Sequence, residues 1–109
     1  MTDSKKEKEK IDKVVKEKDP KLFCEKKFVI QNKLGLHARP AALFVQTANR
    51  FQCDVEVRKG RLKVNGKSIM GIMTLAAGVG TSIMVRTEGA DAVKAMNEIT
   101  KLISGDFGE

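Results

Sequence analysis

The sequence contains a single histidine, and it stands in Gly35-Leu36-His37-Ala38-Arg39-Pro40-Ala41. Residues 38–49 read as a helix. Ala41, Leu43, Phe44, Val45 and Ala48 mark its apolar face, and Pro40 suits the first turn because it has no N–H to leave unpaired. His37 then lies at the helix N-terminus, where the first backbone N–H groups lack internal partners and the helix dipole is positive. A group attached covalently to the imidazole would rest against those N–H groups, and a phosphoryl group is the natural candidate. Arg39 adds a guanidinium that can grip phosphate oxygens in bidentate fashion. A neutral imidazole fraction is always present near neutrality, so a ring nitrogen is a competent nucleophile. The N–P bond it forms stays transferable, because imidazole leaves well once its other nitrogen is protonated. Such chemistry suits a carried group rather than a permanent modification.

Ser68 is a second candidate. It precedes Ile69-Met70-Gly71-Ile72-Met73-Thr74-Leu75, a short stretch that reads as a helix capped by the Ser68 hydroxyl. This helix is apolar nearly all round. Ile72 and Leu75 are assigned to the core, and Met70 and Met73 to a docking surface, since methionine adapts to several partners. Lys67, with Lys33 and Arg50, would steer acidic partners. Phe51 and Cys53 read as packing residues. Cys24 and Cys53 are expected to be free thiols of a reducing, cytoplasmic compartment. Two cysteines and one histidine do not make a four-ligand zinc site, so neither a metal nor a cofactor is expected.

These residues need a frame, and the hydrophobic pattern supplies one. A strand at about 24–31 carries Phe28-Val29-Ile30, and Asn32-Lys33-Leu34-Gly35 turns the chain into the helix at 38–49. Residues 54–59 alternate as a strand, with Val55 and Val57 on one face. Lys59-Gly60-Arg61 turns them into a second strand with Leu62 and Val64. The short helix follows, then a strand at 82–87. Last comes a helix capped by Asp91, with Val93, Met96, Ile99 and Ile103 in 3.6-residue period, closed by Gly105. The order βαββαβα implies an α+β fold, an antiparallel sheet with helices on one face.

Residues 1–21 differ from the rest. Eight of the 21 basic and six of the 14 acidic residues fall there, and its sizeable apolar residues after Met1 are Ile11, Val14 and Val15. Their i, i+3, i+4 spacing would allow a fluctuating helix, but a charged, flexible extension ending near Pro20 is the expectation. Residues 22–109, the folded domain, keep thirteen basic and eight acidic groups, a net of +5 that suggests acidic or phosphorylated partners.

Gly35-Leu36-His37-Ala38-Arg39-Pro40-Ala41 resembles the phosphohistidine signature of the HPr family, the histidine-containing phosphocarriers of the bacterial phosphoenolpyruvate-dependent phosphotransferase system. Lys67-Ser68-Ile69-Met70-Gly71 resembles the second signature of that family, around its regulatory serine. The likeness runs from about Phe23 to Ile103. It implies an open-faced β-sandwich whose four-stranded antiparallel sheet has the order 1-4-2-3. It further implies that His37 accepts a phosphoryl group on Nδ1 from Enzyme I and passes it to EIIA domains. Arg39 and the N–H groups of Ala38 and Arg39 would hold the phosphate, and HPr kinase/phosphorylase would modify Ser68. A transcriptional co-regulator is a further partner of this type. The expected protein is a monomer and a carrier rather than an enzyme. Asn32-Lys33-Leu34-Gly35 resembles nitrogen-branch members, whereas Ser68-Ile69-Met70-Gly71 resembles kinase-regulated members of the catabolite-control type. The branch stays open, as does a mainly regulatory phosphoprotein with little sugar-transport flux.

Composition weighs against other classes. The chain has no Trp or Tyr, and its five Phe are scattered, which disfavours a nucleic-acid module built on stacking aromatics. No apolar run approaches the ~20 residues that span a bilayer, so no membrane insertion is expected. A hydrolase is disfavoured, since no nucleophile–base–orienter set is evident around the single histidine.

Overall fold

A computed structural model describes residues 13–16 and 22–109. The elements are β1 (Lys13–Lys16), β2 (Leu22–Val29), α1 (Ala38–Ala48), β3 (Asp54–Lys59), β4 (Leu62–Asn65), α2 (Ile69–Thr74), β5 (Ser82–Glu88), α3 (Ala92–Ser104) and a 3₁₀ turn (Asp106–Gly108). All strand pairs are antiparallel, in the order β1-β2-β5-β3-β4. From Leu22 onward the four strands therefore lie in the order 1-4-2-3, and with three helices they form the α+β open-faced sandwich.

Period-two alternation sorts the strand residues. Cys24 and Phe28 of β2, Val55 and Val57 of β3, and Ile83, Val85 and Thr87 of β5 are buried. Against them pack Ala41, Phe44, Val45 and Ala48 of α1 and Ala95, Met96, Ile99 and Ile103 of α3, each set at helical spacing. The buried Thr87 hydroxyl donates to the Ala92 carbonyl at 2.9 Å, so its polarity costs the core little. On the other side of the sheet Arg86 lies over the Phe23 ring and pairs with Glu25 at 3.0 Å.

Four details depart from the expectations. β2 begins at Leu22, because its pairing with β5 continues out to Phe23 opposite Glu88. Lys13–Lys16, in the segment read as a charged extension, forms a strand on the outer edge of β2, where the spacing allowed a helix. The remainder of 1–21, with the boundary at Pro20, lies outside the described residues. Asp91 stands at the N-cap of α3, but its side chain makes no cap bond. Its two carboxylate oxygens accept the amides of Gln52 and Cys53, both at 2.9 Å, and tie α3 to the start of β3. Finally, Gly105 ends α3 without a left-handed turn (φ −89°), and Asp106 (φ 53°) and Phe107 (φ 57°) turn the chain instead. Phe107 is buried in the core, which anchors this turn. Among the described residues no helix is long and apolar enough to cross a membrane.

Candidate functional site

The approach to His37 is fixed by the backbone. Asn32 and Gly35 close a turn, with Gly35 N–H donating to the Asn32 carbonyl at 3.1 Å. Gly35 has φ +69°, and a Cβ there would run into the Ala77 carbonyl oxygen and within 2.7 Å of Gly78 Cα. Only glycine meets both demands. The amide of the buried Leu36 then donates to the Ala77 carbonyl at 2.9 Å. The two residues before His37 are thus locked against the segment that leaves α2.

His37 is the N-cap of α1, with extended backbone angles (φ −81°, ψ −170°), and its carbonyl accepts the Ala41 amide at 3.0 Å. The next amides, of Ala38 and Arg39, have no acceptor inside the helix, and Pro40 has no N–H. The His37 side chain is one-third exposed, at 35%. Its Nε2 lies 3.0 Å from Glu109 Oε2. The second oxygen of Glu109, Oε1, accepts from Asn32 Nδ2 at 3.1 Å, and the same Nδ2 donates to the Gly35 carbonyl at 2.7 Å. In the neutral ring this contact is a hydrogen bond when the proton is on Nε2, the tautomer that carries its lone pair on Nδ1. Arg39 is exposed and enters no ion pair among the described residues. Sequence reasoning placed His37, Ala38 and Arg39 at this helix end, and the structure brings them together there. It missed Asn32 and Glu109 as companions of His37. The contact with Glu109 spans 72 residues and has no local signature.

α2 lies in contact with α1. The Ser68 hydroxyl caps it, accepting the Gly71 amide at 3.0 Å. At the other end Lys59 Nζ donates to the carbonyls of Leu75 (3.0 Å) and Ala76 (3.3 Å). Ile72 and Leu75 are buried as expected. Met70 is 75% and Met73 40% exposed, and Leu34 (72%) and Val79 (59%) add apolar surface on the turns flanking His37 and following α2. Lys67 differs from a freely projecting charge. Its ammonium donates to the Phe51 carbonyl at 2.7 Å and fastens the Ser68 loop to the end of α1.

Two titrating groups are displaced at the β3 end. The Cys53 thiol is pushed up to about 12, chiefly by burial and then by its hydrogen bond to Asp91. Asp91 is held below the usual carboxylate range, first by the Gln52 amide and then by that of Cys53. Neither group lies in the network around His37.

Residues 24–105 match the family model described as the PTS HPr component phosphorylation site. The chain is 56% identical over 80 residues to the phosphocarrier protein HPr of Neisseria meningitidis serogroup A, covering 73% of this chain and 90% of that protein. A crystal structure of HPr from Thermoanaerobacter tengcongensis superposes with a TM-score of 0.76 at 49% identity, over 78% of this chain and 96% of that one. A crystal structure of the catabolite repression protein Crh from Bacillus subtilis, a dimer with a swapping domain, gives a TM-score of 0.62 at 44% identity. It covers 72% of this chain and 91% of that one.

Proposed function

Because the chain belongs to the HPr family of phosphotransferase-system phosphocarriers, we propose that it carries a phosphoryl group on His37, received from Enzyme I and passed to EIIA-type acceptors. The observation that carries this reading is the placement of His37 at the N-cap of α1 with Nε2 held by Glu109. That leaves Nδ1 as the nucleophile, beside the amides of Ala38 and Arg39, which have no acceptor inside the helix, and the exposed guanidinium of Arg39. In the first half-reaction the Nδ1 lone pair attacks phosphorus. An N–P bond forms, and the donor's bond to phosphorus breaks with its electron pair returning to the donor. In the second half-reaction an acceptor nucleophile attacks, and the imidazole leaves as a neutral group because Nε2 keeps its proton. The protein is a covalent carrier in a relay and catalyses no net reaction by itself. Residues 22–109 form the carrier domain, which acts as a cytoplasmic monomer.

Ser68 supports a second, regulatory reading. Its hydroxyl caps α2 beside the exposed Met70 and Met73, and one structural relative is a catabolite repression protein. On this reading HPr kinase/phosphorylase modifies Ser68, a transcriptional co-regulator recognises the product, and little sugar-transport flux passes through His37. Incubation with purified Enzyme I and phosphoenolpyruvate tests the main reading. Acid-labile phosphohistidine is expected on the wild type and none on His37→Ala. A fully retained label in that variant removes the reading.

A further inference from the structure

We infer that Asn32 and Glu109 are positioning residues for the transfer: the Asn32 amide holds the Glu109 carboxylate, and the carboxylate holds His37 in the tautomer whose lone pair is on Nδ1. The inference rests on the reading of His37 as the phosphoryl acceptor and assigns two residues to the same site.

Asn32 is an unusual core residue. It is 4% exposed, and its Oδ1 is buried without a hydrogen-bond partner among the described residues. A buried carbonyl left unpaired is costly, and an apolar side chain of similar size would avoid the cost. The amide is therefore kept for its donors, which meet the Gly35 carbonyl and Glu109 Oε1. Turning the amide over would set its oxygen against two acceptors, so its orientation is fixed. Glu109 is brought to His37 by a second expensive feature. Asp106 and Phe107 are consecutive non-glycine residues in left-handed conformation, and the buried Phe107 ring anchors them. Two costly local choices thus converge on one carboxylate, and that carboxylate touches the histidine.

The chemistry explains what the pair contributes. A neutral imidazole exposes its nucleophilic lone pair on Nδ1 only when the proton is on Nε2. A carboxylate acceptor at Nε2 favours that tautomer and fixes the ring plane. Once Nδ1 carries phosphorus, the ring is cationic if Nε2–H is retained, and Glu109 faces that charge. No proton has to leave Nε2 in either half-reaction.

Two readouts on the full chain test the pair. Ring ¹⁵N chemical shifts of unphosphorylated protein report the His37 tautomer, and rapid-mixing phosphorylation by Enzyme I reports the transfer rate. The wild type is expected as the Nε2–H tautomer. Glu109→Ala should mix the tautomers and slow transfer about tenfold. Glu109→Gln keeps an acceptor oxygen and should recover part of both. Asn32→Asp sets a second carboxylate against the first and should resemble Glu109→Ala. Wild-type tautomer populations and rates in Glu109→Ala overturn the inference, and this variant removes no buried packing group. If the wild type takes no phosphate, the carrier reading fails, while the ring spectra still decide whether Glu109 sets the tautomer.

Discussion

Arg39 illustrates how a single side chain in this fold can be tested by charge. Its guanidinium is exposed and enters no ion pair among the described residues, so replacing it removes no buried contact. Replacing it by glutamate puts a negative group where phosphate oxygens would sit. Arg39→Glu should keep the melting temperature and slow phosphorylation by Enzyme I and the reverse transfer, each by roughly tenfold or more. Equal rates in both directions would remove Arg39 from phosphate binding. Cys53 and Asp91 give the pH dependence. The folded Cys53 thiol titrates at about 12 against an ordinary 9.0, so its stabilising contribution is complete below 9.0 and is lost as pH rises from there towards 12. Alkylation at mildly alkaline pH should accordingly be slow in the native protein and fast after unfolding. Asp91 has the opposite sign. Its folded carboxyl lies below the ordinary 3.8, so its contribution is present above that value and fades as pH falls through the folded one. Asp91→Ala should cost about 1–2 kcal/mol in neutral denaturant melts, a figure held down by solvent screening, and the difference should shrink in acid. At this scale the sequence was readable where the logic is local. His37 before a helix and Ser68 three residues from Gly71 are neighbours in the chain. Glu109 was not readable, because its place depends on where Phe107 packs.

At the scale of elements, α2 is the informative case. Six residues are too few to persist as an isolated helix, so α2 exists through its anchors. These are the Ser68 hydroxyl at one end, Lys59 at the other, and Ile72 and Leu75 pressed into the core. A phosphate on Ser68 brings about −1.5 to −2 charges to the N-terminus of this helix, where the dipole favours them. Ser68→Asp should therefore keep native circular dichroism, since aspartate is itself a good N-cap. The same charge stands beside the exposed Met70 and Met73, where an acidic or apolar partner would meet repulsion and a desolvation cost. Phosphorylation by Enzyme I should be much slower for Ser68→Asp and normal for Ser68→Ala, which loses only the cap, about 1 kcal/mol of stability. Equal rates for all three proteins would exclude control of His37 by this serine. Periodicity made the strands from Leu22 on and the helices α1 and α3 legible, because apolar alternation and helical spacing hold within each one, while α2 was legible from its Ser68 cap and the 3₁₀ turn after Gly105 was not. It did not specify the role of Asp91. The cap position is evident in the sequence, but the amides of Gln52 and Cys53 come from another part of the chain and take both oxygens.

At the scale of the molecule, β1 decides how far the domain depends on its N-terminal segment. The outer edge of β2 would otherwise present unpaired backbone groups, and such edges invite pairing with other chains. β1 occupies the first half of that edge, with Lys13 in register with Glu25 and Lys16 with Leu22. Nothing in Lys-Val-Val-Lys specifies a strand by itself; the edge of β2 supplies the partner, which is why periodicity could not reveal it. Its energetic weight is small. Each edge hydrogen bond contributes about 0.5–1.5 kcal/mol net, and ordering each residue of the added strand costs about 1–2 kcal/mol. These nearly cancel. Deleting residues 1–19 should then lower stability by no more than about 1 kcal/mol and shift the melting temperature by a few degrees. Transfer at His37 should persist, because its network is built from Asn32, Gly35, Ala77 and Glu109, all beyond the deletion. The bared edge of β2 should show in two ways: faster amide exchange within Leu22–Glu25, the stretch that β1 pairs with, and self-association that rises with concentration in sedimentation experiments. A loss of several kcal/mol on deletion would instead make β1 an integral strand of the domain. An unchanged exchange pattern would mean that β1 does not cover the edge in solution.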